Sequence, residues 1–416
     1  MSAVLRFARK RLDLGLGDLA YGLFRCALPP SREDSLAALD QLWTPADSVV
    51  ACLSARSGFD LLLATVDWPA GSEVLLSALT IPHLATLVRA HGYVPVAVDV
   101  DPATVTLDPA EVRAACTPRT RALVVAQLFG ARPDLTEVAA VARGAGLLLV
   151  EDRAECFDGL DRDLGPLADV ALFSFGTIKT ASCLGGGVLL VRDRRLRERM
   201  RSRQRHDWPV QTSTAYAAKL AKGALMLVIG HPFAFGTFAR LADRLTGDYD
   251  GVVRTLSRGY PDEDLLESIR RRPSCALLAM MVRRIRGYDP ARVAARRRAG
   301  HVLAGALGPD VVQLGGQAAG HTYWLFPVVS RDPDTLVTAG RAAGFDLTRG
   351  SSTLVALDEH CRRTWTAMAS VVYLPAYAGM SERDLRGLAA VVTEVESRVP
   401  PLNADAAGHP SRSSNR

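Results

Sequence analysis

A lysine can act as a nucleophile where its surroundings keep water from holding its charge. Lys179 lies in such a setting, within ALFSFGTIKTASCLGGGVLLV. An apolar run ends at Phe173–Phe175, a short turn leads to the lysine, and the triplet Gly185–Gly187 opens a second apolar run. No acidic residue lies within five positions on either side. A lysine desolvated at a strand end has a lowered pKa and can form a Schiff base with an aldehyde. Chain-wide usage singles it out further. The sequence has four lysines (Lys10, Lys179, Lys219, Lys222) against 46 arginines. Arginine serves as the generic surface cation here, so each lysine invites the question of what arginine could not do.

Two further features give Lys179 company. The apolar run Leu147–Val150 ends in Glu151-Asp152, which puts Asp152 at a strand end 27 residues before the lysine. A carboxylate there could keep a ring nitrogen protonated, or merely cap a helix. In SARSGFDLLLATV, Ser57-Gly58 precede an apolar helical pattern, where free N–H groups could cradle a phosphate. Ser174 supplies a second hydroxyl, and capping alone would also explain Ser57. An aldehyde-capturing lysine, an acid for a pyridine nitrogen and a phosphate cradle are together what pyridoxal 5'-phosphate demands.

The elements behind these residues follow from the apolar pattern. Runs at Glu73–Leu79, Val94–Asp99, Ala122–Gln127, Leu147–Glu151, Val170–Phe175 and Gly187–Val191 alternate with helical stretches at His83–His91, Pro109–Cys116 and Asp134–Arg143. Buried strands separated by helices predict an α/β fold, a three-layer large domain with a mainly parallel sheet. In such sheets the chemistry gathers at strand ends. Residues 1–45 read as an N-terminal helical segment, broken at Pro29-Pro30, with Ser31 starting a second helix. Residues 46–285 form the large domain, and 286–400 a smaller C-terminal α/β domain with helices at Asp289–Leu307, Pro333–Ala343 and Glu382–Glu396. The polar tail 401–416 reads as disordered.

Composition excludes several classes. With 48% hydrophobic residues the chain has ample material for a core. Seven cysteines without a CxxC pair argue against a disulfide framework or zinc ribbon and suit the cytoplasm. The N-terminus reads as an amphipathic helix, without the apolar block of a signal peptide. A net charge of +6 is weak ground for nucleic-acid binding, and Arg270–Arg272 and Arg296–Arg298 read as solvated helix faces. Residues 223–239, GALMLVIGHPFAFGTFA, carry no charge. They fall short of the roughly 20 apolar residues of a spanning helix and are interrupted by Gly230 and Pro232. A packed helix pair or subunit contact is expected there, with contact to a membrane surface as the alternative.

Taken in order, the Ser-Gly helix start, Glu151-Asp152, Phe173–Lys179 and Gly185–Gly187 resemble the DegT/DnrJ-type sugar aminotransferases, pyridoxal-phosphate enzymes of fold type I. Val98–Pro102, Thr117–Ala122 and Leu374–Tyr377 look like further segments of that family. The resemblance covers residues 46–200 and, more loosely, 275–398. It implies that Lys179 forms the Schiff base and moves the proton, Asp152 binds the pyridine nitrogen, and Ser174, Ser57 and Gly58 hold the phosphate. It also implies a homodimer with active sites at the subunit interface.

The departures are specific. Phe59 stands where the family has a threonine after Ser-Gly, and Glu155 where it has a glutamine near the cofactor's phenolic oxygen. Such a carboxylate needs a partner, and Arg153 is the candidate. Ile81 replaces the usual stacking aromatic, leaving His83 to stack on the cofactor, and Gln127 replaces a common histidine. The insertion around 205–275 replaces a segment that usually supplies a partner-subunit asparagine to the phosphate. Ser257–Tyr260 is the candidate substitute.

The expected function is transamination from an amino donor, by resemblance glutamate, to a keto group on a nucleotide- or carrier-linked sugar, as in polysaccharide or natural-product biosynthesis. A lyase or dehydratase on the same scaffold and a non-catalytic member with a regulatory or membrane role are the alternatives. A nucleotide-binding oxidoreductase has only Gly15–Ala20 as a GxGxxA match, with no strand before it.

Overall fold

Continuous apolar runs along a strand can bury both faces of a sheet, and they do so between residues 49 and 191 of the computed structural model. The structure describes residues 5, 7–9, 11–246, 251, 260, 263–350 and 353–398. Its strands are β1 Val49–Cys52, β2 Glu73–Ser77, β3 Leu79–Thr80, β4 Val94–Val98, β5 Thr120–Ala126, β6 Ala131–Arg132, β7 Leu148–Asp152, β8 Val170–Ser174 and β9 Gly187–Val191, then β10 Val312–Gln313, β11 Gly320–His321, β12 Phe326–Val329, β13 Val355–Ala356 and β14 Val371–Leu374. Seven of them form one sheet in the order β1-β9-β8-β7-β5-β2-β4. Neighbours pair in parallel except at β9, which runs against both β8 and β1. A smaller antiparallel sheet, β10-β12-β14, lies in the C-terminal part.

The helices are α1 Leu16–Ala27, α2 Arg32–Asp40, α3 Ala55–Thr65, α4 Pro82–Ala90, α5 Pro109–Ala115, α6 Thr136–Gly144, α7 Arg194–Asp207, α8 Ser213–Ile229 and α9 Pro232–Thr246. After these come α10 Leu265–Ile269, α11 Cys275–Arg286, α12 Pro290–Ala306, α13 Pro333–Ala342, α14 Arg362–Ala369 and α15 Glu382–Arg398. One sheet face, with Val74, Leu76, Val124 and Val150, packs on α3, α4 and α7. The other, with Leu75, Leu123, Val125 and Leu149, packs on α5 and α6. The period-two change of partner is the three-layer arrangement expected of a buried parallel sheet. A separate core holds α12, α13 and α15 on the small sheet.

Several local expectations are corrected. The amphipathic helix starts at Leu16, and the segment before it is tied down by a bridge from Phe7 to Phe345 and a buried ion pair from Arg9 to Asp346. The arginine clusters are not simply solvated. Arg270 grips the fully buried Asp60 with two nitrogens, Arg272 reaches the Trp208 carbonyl, and Arg296 reaches Thr322 and Thr180. The uncharged stretch is a bent pair, α8 and α9, turned by 102° at a break containing Gly230. Among the described residues, no single helix is long and apolar enough to cross a membrane. Residues 401–416 lie outside the described residues.

Candidate active site

Strand ends collect polar residues because the ladder stops there and leaves backbone and side chains open to a cleft. Asp152 ends β7, Ser174 ends β8, and the turn after β8 carries Lys179; all three line one cavity of about 600 Å³. Burial raises the pKa of Asp152, opposed by the Ala154 N–H bonded to Oδ1 at 3.0 Å and by the charge of Lys179. The carboxylate therefore lies deep in the protein while its residue still meets the cavity. Among the described residues Oδ2 has no donor, so a protonated ring nitrogen would find an acceptor there.

Lys179 is not isolated, as its sequence neighbours suggested. Its Nζ donates to Glu155 Oε1 at 3.2 Å and lies 4.0 Å from the centre of the Trp324 ring. Glu155 Oε2 accepts the Phe129 N–H at 2.8 Å. The expected pairing of Glu155 with Arg153 is replaced. Arg153 Nε bonds Glu151 at 2.6 Å, and its other nitrogens reach the carbonyls of Asp163 and Leu164. Trp324 in turn donates from Nε1 to the Ile178 carbonyl at 3.0 Å, fixing its ring beside the lysine.

The α3 residues expected to cradle a phosphate lie one helical turn away from the cavity wall. Ser57, Gly58 and Phe59 do not line the cavity, because they point into the core between α3 and β9. A Cβ on Gly58 would lie 1.9 Å from Leu189 Cδ1, so that glycine serves close packing and not anion binding. The N-cap is Ser54, which accepts the Ser57 N–H at 3.1 Å, and Ser54, Ala55 and Arg56 are the residues on the cavity. The Ser57 hydroxyl lies 2.9 Å from that of Ser54 and so supports the cap from below. Gly187 makes this end of α3 possible, since a Cβ there would meet the Ser54 carbonyl carbon at 2.5 Å.

His83 and Ile81 both reach the cavity at the start of α4, and His83 Nδ1 accepts from Arg56 Nε at 2.8 Å. Gln127 also lines it and donates to Glu151 at 3.0 Å. Of the candidate substitute at 257–260, Ser257, Arg258 and Gly259 lie outside the described residues, whereas Tyr260 lines the cavity. Sequence reading missed Ser54, Arg56, Trp324 and the α8 wall of Lys219, Lys222, Gly223 and Met226. The rarity of lysine was the one signal that pointed toward α8.

Comparisons with known proteins bear on the fold and the family. Residues 37–243 match the DegT/DnrJ/EryC1/StrS aminotransferase family. A pleiotropic regulatory protein of Geobacillus stearothermophilus is 32% identical over 155 residues, which is 36% of this chain and 42% of that protein. The GDP-perosamine synthase of Caulobacter vibrioides is 36% identical over 154 residues, again 36% of this chain and 42% of that protein. The chain thus aligns with about two fifths of the length of these curated relatives. The crystal structure of the aminotransferase TlmJ from Streptoalloteichus hindustanus shares the fold. Its TM-score is 0.67 at 21% identity, covering 94% of this chain and 99% of that one. The matched stretch contains β1 to β9, and with them Ser54, Asp152, Ser174 and Lys179; the chain belongs to the DegT/DnrJ/EryC1/StrS aminotransferase family.

Proposed function

We propose that the chain is a pyridoxal-phosphate-dependent aminotransferase that moves an amino group from a donor, glutamate foremost, to a keto group on a nucleotide- or carrier-linked sugar. One observation carries this reading: Lys179, Asp152 and the Ser54-capped end of α3 converge on a single cavity. The residues fit the cofactor. Asp152 offers a free acceptor to a ring nitrogen, Ser54, Ala55 and Ser174 offer hydroxyl and N–H groups to a phosphate, and Lys179 offers an amine. Bound there, the cofactor would supply an aldehyde for capturing amines and a ring that accepts electrons as a Cα proton leaves.

The chain's own residues do the rest. Lys179 Nζ takes and returns the migrating proton, acting as base and then acid. Glu155, anchored by the Phe129 N–H, positions that amine. Asp152 holds the proton on the ring nitrogen, helped by the burial that strengthens any charge pairing there. Ile81, Leu354, Met226 and Trp324 line the cavity with apolar surface and limit water beside the proton transfer.

We further propose that the enzyme works as a cytoplasmic homodimer in the biosynthesis of an amino sugar. The exposed Leu23 and Phe24 of α1 and Leu225 and Val228 of α8, two helices packed on one another, would be covered by a second copy. The relative named for GDP-perosamine supports the sugar class. Absorbance spectra with a panel of amino donors test the function. The expected result is a yellow protein, bleached by borohydride, whose colour is lost on adding glutamate or glutamine. A coloured protein that no donor alters would turn the reading toward a lyase.

A further inference from the structure

We propose that Lys219 and Lys222 of α8 form a phosphate-binding pair that takes up a phosphate ester carried by the ligand in the cavity. Three of the four lysines in the chain line this one cavity, among 46 arginines spread over the sequence. Positions 219, 222, 223 and 226 recur at helical spacing, so both ammonium groups leave the face of α8 that Gly223 and Met226 also present to the cavity. Gly223 lets that face approach closely, since a Cβ there would lie 2.5 Å from Leu184 Cδ1.

No carboxylate among the described residues balances the charges of the two lysines, whereas Lys179 pairs with Glu155 and Arg153 with Glu151. Lys219 is half-buried, its Nζ 5.4 Å from the centre of the Tyr260 ring, which attracts a cation without neutralising it. Lys222 is exposed and water shares its charge, whereas the half-buried Lys219 gains more from an anion supplied by the ligand. Position selects phosphate. Lys219 Nζ lies 3.8 Å from where a Gly185 Cβ would be, and two residues on Gly187 lies against the Ser54 main chain. Lys219 therefore approaches the same side of the cavity as the N-terminus of α3, whose free N–H groups favour anions. A phosphate ester carries about two negative charges at neutral pH, which matches two lysines.

That such a ligand occupies the cavity rests on the aminotransferase reading, but the pairing of lysines with phosphate does not. The phosphate has two possible sources, the cofactor or the sugar-bearing acceptor. Calorimetric titration of the full chain with inorganic pyrophosphate, uridine diphosphate, pyridoxal 5'-phosphate and pyridoxal separates them. The proteins compared are the wild type, Lys219→Met/Lys222→Met, Lys219→Gln/Lys222→Gln, Lys219→Arg/Lys222→Arg and a distant control, Arg386→Gln. Each lost charge-assisted bond is expected to cost about tenfold, so the Met and Gln pairs should weaken at least one phosphate-bearing probe by about a hundredfold. They should also flatten its salt dependence. The Arg pair should keep most of the affinity, while Arg386→Gln should match the wild type. Loss confined to pyridoxal 5'-phosphate assigns the pair to the cofactor. Loss confined to the diphosphates assigns it to the acceptor. A pyridoxal affinity that falls as far as the phosphate affinities would overturn the proposal, as would phosphate affinities within about twofold of wild type in both charge-removed pairs. So would a wild type that binds none of the phosphate probes. A wild type that binds pyrophosphate through these lysines but no pyridoxal 5'-phosphate would refute the aminotransferase reading and leave the pair intact.

Discussion

The cavity has two lysine-bearing walls that are built differently. On the sheet side, Lys179 is held by Glu155 at 3.2 Å and by the Trp324 ring. On the α8 side, Lys219 and Lys222 have no carboxylate partner among the described residues and rest on a helix beside the bend at Gly230. An amine that must move a proton benefits from a fixed geometry. An amine that must meet a charged ligand benefits from being left unpaired, because an internal partner would compete. On the proposed reading, the difference separates a wall made for chemistry from a wall made for recognition.

That contrast can be broken by substitution, beginning where the expected effect is largest. Lys179→Ala should lower kcat by about a thousandfold or more while pyridoxal 5'-phosphate still binds, as measured by steady-state rates and equilibrium dialysis. Asp152→Asn should cost about a hundredfold in kcat, with the loss in kcat and not KM, since it removes charge stabilisation at the ring. Glu155→Gln keeps an acceptor for the Phe129 N–H but loses the charge beside Lys179. It should lower kcat by about tenfold or less and shift the pH profile, whereas a purely structural role would leave the profile in place.

A smaller effect lies behind the site. His321 is pushed down to about 4 from the usual 6.5, by burial first and then by the charges of Arg296 and His301. Its Nδ1 accepts the Tyr323 N–H at 2.8 Å, which requires the neutral ring. The unfolded chain takes up this proton first, so the stability is fully present above pH 6.5 and drains as pH falls toward 4. The loss should reach about 3 kcal/mol at most. Urea denaturation above and within that window should show it, and His321→Asn should flatten the slope.

The legible part of the molecule was the part set by short-range pattern. Apolar runs marked the central strands, and the strand ends, Asp152 and Ser174, lie within one residue of where the runs Leu147–Glu151 and Val170–Phe175 stop. Ser54 and not Ser57 reaches the cavity; both suit a helix start, and only the packing of Gly58 on Leu189 shows which turn is buried. The Lys179 and Glu155 pair joins residues 24 apart on neighbouring strand ends. No local pattern could carry it. The approach of α8 to the cavity depends on its packing against α1 and Leu184, which composition alone does not encode.

The central claim is that one lysine does the chemistry and the other two of the cavity do not. Reduction of the pyridoxal-phosphate-loaded protein with borohydride, followed by peptide mass mapping, tests it most directly. The account predicts a pyridoxyl group fixed on the peptide carrying Lys179, with Lys219 and Lys222 unmodified. A label on either α8 lysine in place of Lys179, or no fixed label at all, would contradict it.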